Sequence, residues 1–377
     1  MRRTHPLTPH GAGRSLLALI ALLLLVPILV ACGGEDEEVE PADGDATTTV
    51  SASPATSGSA ATPNDASPAT GSGTGKTEEI TIGLTFVPNI QFAPFYVAIE
   101  KGYFEEAGLE VTLNHHQAGA DQFGPLVAGQ EDLLMSAGDE VLIARQQDVP
   151  LVYVAEVFTR YPVGLIVPAD SDIASIEDLK GKTVGIPGEY GANYIGLLAL
   201  LEGAGMTRDD LEIQSIGFTQ ASALLAGHVD AVMGYLNNEP IQLAKAGMEV
   251  ETFPVSDVLS LVSNGLVVTQ ETIDERPEIV RAAVEATLRG VEDVIANPEE
   301  AVEIATEYVP TLTDEQQAED ALAVLQASIP MWEATDGWGT SDPEAWQAMA
   351  DFLLENGILT DAADVDAAYT NDLVPNS

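Results

Sequence analysis

From Ile80 onward, β-rich apolar runs take turns with runs whose apolar residues recur at helical spacing. Ile80-Thr81-Ile82-Gly83-Leu84 alternates in the manner of a strand. Phe92 to Ala107 follows, with apolar residues at 92, 95, 96, 99, 103 and 104. That is one face of a helix, which Gly108 ends. The alternation continues through a strand at Leu109 to Leu113, a helix at Leu126 to Gln130 and a strand at Leu133 to Met135. Further strands follow at Leu151 to Val157 and Val163 to Val167. A chain that alternates in this way must build mostly parallel sheets, each covered by helices on both faces.

The pattern restarts near Ile176. Strands are expected at Lys182 to Ile186, Leu211 to Ile216 and Asp230 to Met233, with helices at Asn193 to Glu202, Thr219 to Ala226 and Pro240 to Ala246. After Leu266-Val267-Val268 the chain reads as helical to its end. A length of 377 residues exceeds one ordinary core. The order predicts two α/β lobes, one inserted in the other. Lobe one is expected over 80–166 and 265–377, and lobe two over 167–264. Hinges are expected near Gly164–Val167 and Leu261–Val268. A cleft between such lobes is a natural place for a small ligand.

The residues before 80 read differently. Arg2, Arg3 and Arg14 precede an apolar run from Leu16 to Leu29, broken only by Pro27 and followed by Glu35, Asp36, Glu37 and Glu38. The run is short for a membrane span, which needs about 20 residues, and it has no basic stop; it reads as a cleaved export signal. Leu29-Val30-Ala31-Cys32-Gly33 resembles a bacterial lipoprotein signal, in which the cysteine is acylated. The segment 1–31 is then the signal peptide, and palmitate or a related acyl chain on Cys32 anchors the chain to the outward face of the cell membrane. Residues 32–79 read as a tether. Thr47 to Gly75 is nearly all Ser, Thr, Ala, Pro, Gly, Asn and Asp, with nothing to bury. Cys32 is the sole cysteine, which excludes an internal disulfide and a multi-cysteine metal site. The net charge of −46 argues against nucleic acid and anionic lipid surfaces as partners.

Several segments carry a family resemblance. They are Phe86-Val87-Pro88-Asn89, Tyr96-Val97-Ala98-Ile99-Glu100-Lys101-Gly102-Tyr103-Phe104, Gly108-Leu109-Glu110-Val111, Asp178-Leu179-Lys180-Gly181-Lys182-Thr183-Val184-Gly185, Gly227-His228-Val229-Asp230-Ala231 and Asn237-Asn238-Glu239-Pro240. Over about 80–360 the chain resembles bacterial solute-binding proteins related to the thiamine-pyrimidine synthases. The resemblance implies a two-lobed periplasmic-binding-protein-like α/β fold of type II, with the ligand cleft between the lobes. It implies a monomer that hands a small molecule to an ABC permease, with no cofactor of its own. Gly188-Glu189-Tyr190-Gly191-Ala192-Asn193-Tyr194-Ile195-Gly196 looks closest to the riboflavin-binding branch. Formylaminopyrimidine binders are the alternative. They resemble Trp-x-Pro-Asn-x-x-His at the first loop, where this chain has Phe86 and Phe92.

Three loops lie where strands hand over to helices, the end at which open α/β sheets bind ligands. The first supplies Phe86, Asn89 and Phe92; the second, Tyr190 and Gly191; the third, Tyr235, Asn237, Asn238 and Glu239. Each has a structural alternative: Asn238 or Glu239 as a helix cap, Phe86 and Phe92 as core, Tyr190 as packing. Together, rings, amides and one carboxylate suit a neutral, flat heteroaromatic. An anion would want convergent Arg or Lys, and these loops contain none. The pyrimidine-synthase enzymes of the same group resemble a cysteine-rich motif and a cofactor lysine that are not visible here, so no catalytic residue is assigned. His115-His116 is not read as a metal pair, because adjacent residues on a strand point to opposite faces.

The anchor is directly testable. Cys32→Ala should abolish acylation, and mass spectrometry of the membrane-extracted protein should show the lipid on Cys32 of the wild type alone. A mature N-terminus elsewhere, with Cys32 unmodified or removed, contradicts the reading.

Overall fold

The computed structural model describes residues 77–117, 120–333 and 337–375. Cys32, the signal segment 1–31 and nearly all of the tether 32–79 lie outside the described residues. Ten strands form two sheets: β1 (Glu78–Leu84), β2 (Leu109–His115), β3 (Leu133–Ala137), β4 (Leu151–Glu156), β5 (Val163–Pro168), β6 (Thr183–Ile186), β7 (Glu212–Ser215), β8 (Ala231–Tyr235), β9 (Val250–Pro254) and β10 (Asn264–Thr269). One sheet has the order β2-β1-β3-β10-β4 and the other β7-β6-β8-β5-β9. The two orders are the same pattern. In each, three parallel strands are followed by one antiparallel strand; β10 joins the first sheet only after the chain has built the second, whereas β5 opens its own sheet.

Alternation sets the packing. Ile80, Ile82 and Leu84 of β1, with Leu133 and Met135 of β3, face the helices Ala93–Glu100 and Pro277–Ala296 in one apolar cluster. The opposite face of that sheet offers Leu134, Tyr153 and Val267. These belong to a second cluster that runs through Trp346 and Phe352 of helix Pro343–Glu355 into Val163, Leu165 and Ile186 of the second sheet. The lobes therefore share a continuous apolar body. A smaller cluster around Ile166, Val232 and Leu243 covers the outer face of lobe two.

The chain passes between the sheets twice, over residues 157–162 and 255–263, and the passages lie side by side. The Val157 and Phe158 N–H groups both donate to the Asn264 carbonyl (3.1 and 2.9 Å), and Ser263 Oγ donates to the Arg160 carbonyl (3.3 Å). The first passage falls earlier than the expected Gly164–Val167, because β5 already pairs with β8 and β9 from Val163–Gly164 on. Three local readings also change. The expected helix over Phe92 to Ala107 is two helices, Ala93–Glu100 and Tyr103–Glu106. They are broken at Gly102, whose φ of 74° suits glycine. Strand β9 and the helix Gly138–Gln146 are present without having been foreseen. Among the described residues, no helix is long and apolar enough to cross a membrane.

Trp346 is fully buried, stacked on Tyr369 at 5.1 Å and edge-on to Tyr153 at 5.4 Å. Trp346→Ala should cost about 3–5 kcal/mol, the usual loss for a large buried aromatic. Denaturant unfolding checks this, and a loss under about 1 kcal/mol would mean that the shared cluster is loosely packed.

Candidate functional site

A cavity opens between the C-terminal ends of the parallel strands of the two sheets. With its mouth and the solvent in front of it, the opening takes in about 940 Å³ of space free of protein atoms. Lobe one contributes Thr85, Phe86, Gln91, Phe92, Gln122, Met135, Ala137, Glu140, Phe158 and Asn264. Lobe two contributes Pro187, Tyr190, Gly191, Ala192, Asn193, Phe218, Gln220, Tyr235, Asn238 and Glu239. Of the residues expected from sequence, Phe86, Phe92, Tyr190, Gly191, Tyr235, Asn238 and Glu239 come together here.

Asn89 and Asn237 do not. Asn89 Oδ1 accepts from the Gln91 N–H (3.1 Å) and caps the short turn Ile90–Phe92. Its side chain lines a separate groove with Ile90, Ile241 and Lys245. The cap turns Gln91, not Asn89, toward the cavity. Asn237 is fully buried and donates through Nδ2 to Ser328 Oγ (2.7 Å), so it ties lobe two to helix Glu315–Trp332.

The walls are aromatic. Phe86 of lobe one and Phe218 of lobe two meet edge-to-face, with ring centroids 4.5 Å apart, directly across the cleft. Tyr190 is half-exposed, and its ring lies over Gly188 so closely that a Cβ there would come within 2.2 Å of it. His115 fixes the first loop. The Phe86 carbonyl can only accept, so His115 Nδ1 is the donor (3.0 Å) and Nε2 is left to accept from the Tyr96 hydroxyl (3.4 Å). Burial lowers the His115 pKa, which favours this neutral form. His116 pairs instead with Glu131 (2.7 Å). Among the described residues, no group of three or more His, Cys, Asp and Glu is placed to hold a metal.

Between the walls lie unmet hydrogen-bonding atoms. Gln91 Nε2, Asn193 Oδ1 and Asn264 Oδ1 are buried and have no partner among the described residues. Each such atom costs about 1–3 kcal/mol unless a ligand or water meets it. Each amide can present a donor or an acceptor after a flip. Asn264 is held by its other atom, with Nδ2 donating to the Tyr235 hydroxyl (3.0 Å). The carboxylates are Glu140 and Glu239, and none of the described lining residues is Lys or Arg. Glu140 Oε2 accepts from Ser136 Oγ (2.7 Å), Gln122 Nε2 (2.8 Å) and the Ala137 N–H (3.1 Å). Glu239 Oε2 accepts from the Tyr235 N–H (2.7 Å), and burial pushes its pKa up to about 7.

Sequence reasoning missed several lining residues. Phe218 and Glu140 follow β7 and β3, so the strand-end rule that found the other loops applies to them too. Gln91 and Asn193 sit beside residues that were singled out. Asn264 carried no such signal, because β10 enters the sheet antiparallel and presents its start at the cavity.

Glu239 makes the site pH-dependent. Its carboxyl faces the Tyr235 N–H and Asn238 Nδ2, with Asp139 and Glu140 as the acidic neighbours that also act on Tyr235. Because its folded pKa is raised above the ordinary 4.5, the folded chain holds the proton that the unfolded chain releases between about 4.5 and 7. The stability advantage of wild type over Glu239→Gln should therefore fall, by on the order of 3 kcal/mol, as pH rises from about 4.5 to 7. Denaturant unfolding at a series of pH values measures it; parallel curves for the two proteins would contradict a raised Glu239 pKa.

Comparisons with known proteins agree with this geometry. A family model described as NMT1/THI5 like matches residues 89–301. A riboflavin-binding protein, RibY, of Chloroflexus aurantiacus is 37% identical over 79% of this chain and 86% of its own. A formylaminopyrimidine-binding protein of Halalkalibacterium halodurans is 30% identical over 73% of this chain and 84% of its own. A 4-amino-5-hydroxymethyl-2-methylpyrimidine phosphate synthase of Legionella pneumophila is 23% identical over 79% of this chain and 93% of its own. Among solved structures, the alkanesulfonate-binding protein SsuA from Xanthomonas axonopodis has a TM-score of 0.64 at 18% identity. The match covers 79% of this chain and 100% of that one, and it establishes the two-lobed binding-protein fold.

Proposed function

The chain belongs to the NMT1/THI5-like family, and from that premise we propose that it is the solute-binding component of an ABC importer for riboflavin. In this reading Cys32 carries the lipid, the tether 32–79 gives reach, and the folded body captures its ligand on the outward side of the membrane. It then presents the ligand to a permease.

The observation that carries the proposal is the set of buried amide atoms without partners, on Gln91, Asn193 and Asn264, framed by Phe86, Phe92, Phe158, Tyr190 and Phe218. An isoalloxazine ring has a large π-face for such walls. Its uracil-like edge offers two carbonyls and one N–H, which suits a mixed set of amides and the Glu239 carboxylate. The 37% identity to a riboflavin-binding protein supports the same ligand. Formylaminopyrimidine is the second reading, favoured by Glu239, which would accept well from a ring amino group.

The family also includes synthases. We assign this chain to the binding side. Among the described lining residues no nucleophile–base pair stands in the cavity, and the sole cysteine of the chain, Cys32, is the proposed lipid site. Ligand recovered after incubation should be chemically unchanged by mass spectrometry; a converted product would overturn the assignment.

Tyr190 offers the sharpest single-residue test. Tyr190→Ala should weaken riboflavin binding by about 1–3 kcal/mol, the range for aromatic stacking on a base, and Tyr190→Phe should cost less because the ring remains. Flavin fluorescence titration reads both. Equal losses in the two variants would assign the effect to the hydroxyl and reject stacking.

A further inference from the structure

The start of helix Gly191–Gly203 faces the cavity. It spans 13 residues, and its N-cap, Tyr190, makes no side-chain cap hydrogen bond. The free N–H groups of such a helix start attract anions unaided. With no lysine or arginine among the described lining residues, this would be the natural seat for a phosphate or sulfonate. A carboxylate of the protein already stands beside it. Glu140 reaches from lobe one, and its Oε1 lies 3.1 Å from where a Cβ on Gly191 would be. Gly191 has φ of 64°, which favours glycine, and the missing side chain leaves room for that approach. Glu140 cannot swing aside freely, because Ser136, Gln122 and the Ala137 N–H all hold its other oxygen. On the lobe-two wall, Glu239 supplies a second carboxyl.

We propose that Glu140 sets the charge specificity of this cavity: its carboxylate stands beside the anion seat at the start of helix Gly191–Gly203 and so disfavours ligands that bring a phosphate or sulfonate. The inference rests on the proposed function and refines it. The cargo is the neutral, unphosphorylated heteroaromatic. A phosphorylated form must lose its phosphate by hydrolysis before capture, and any phosphoryl transfer to the cargo takes place after import. Two like charges held about 6 Å apart at an interior-like dielectric disfavour binding by about 100-fold.

The test uses riboflavin, riboflavin 5′-phosphate and butanesulfonate on the wild type, on Glu140→Gln and on Glu355→Gln. The last removes one exposed carboxylate at the far end of helix Pro343–Glu355 and so controls for net charge. Thermal melts confirm that the variants are folded. The wild type should prefer riboflavin over its phosphate by about 100-fold. That preference should shrink to about 10-fold or less in Glu140→Gln and persist in Glu355→Gln. Butanesulfonate should bind Glu140→Gln and not the wild type. A wild type that takes the phosphate within about threefold of riboflavin overturns the inference, as does a preference unchanged in Glu140→Gln. If no protein binds either flavin, the riboflavin reading fails. The sulfonate arm then decides alone: binding gained by Glu140→Gln upholds the charge filter, and no gain rejects it.

Discussion

The side-by-side double passage of the chain between its sheets is the constraint on which the rest depends. The first sheet is complete only when β10 returns to it from the second lobe, whereas β5 to β9 of the second sheet are consecutive in the chain. The Asn264 carbonyl, which accepts from both Val157 and Phe158, locks the two passages together. The same residue sends its side chain to the Tyr235 hydroxyl and into the cavity. One residue thus joins the hinge, the second lobe and the ligand site. Tyr153 and Tyr161 reinforce the junction through hydroxyl bonds to the Ser263 and Ala192 carbonyls.

Polar satisfaction explains why a binding site persists at that junction. Outside the cavity some buried side chains also keep one atom unmet, as Asn237 Oδ1 and His116 Nδ1 do, but Ser328 and Glu131 hold those two side chains through their other atoms. In the cavity, Gln91, Asn193 and Asn264 each keep an unmet atom. Their cost, about 1–3 kcal/mol apiece, is large beside the net stability of a domain. A ligand that satisfies them recovers that free energy as affinity, and the aromatic walls add apolar contact. Among the described lining residues there is no Lys or Arg to offset the two carboxyls of Glu140 and Glu239.

Much of the architecture was legible in the sequence because β-branched runs and helical spacing are local signals. Strand β9 escaped because Val250-Glu251-Thr252-Phe253-Pro254 is short, does not alternate cleanly and lies at a sheet edge, where it is at most half-buried. The helix Gly138–Gln146 escaped because its apolar residues are few and its acidic first turn reads as a loop. In the site, the loops after β1, β6 and β8 were legible from the strand-end rule. Asn89 was misplaced because a cap hydrogen bond, which no spacing reveals, turns its side chain away. Asn264 was invisible because its role arises only when an antiparallel strand returns from the other lobe.

A flat, neutral heteroaromatic is expected between the lobes. A crystal structure of the protein incubated with riboflavin tests it most directly. An intact isoalloxazine ring should lie between Tyr190 and the Phe86–Phe218 wall, with its polar edge on Gln91, Asn193 or Asn264. A ring bound elsewhere, or a chemically altered molecule in the cavity, would contradict it.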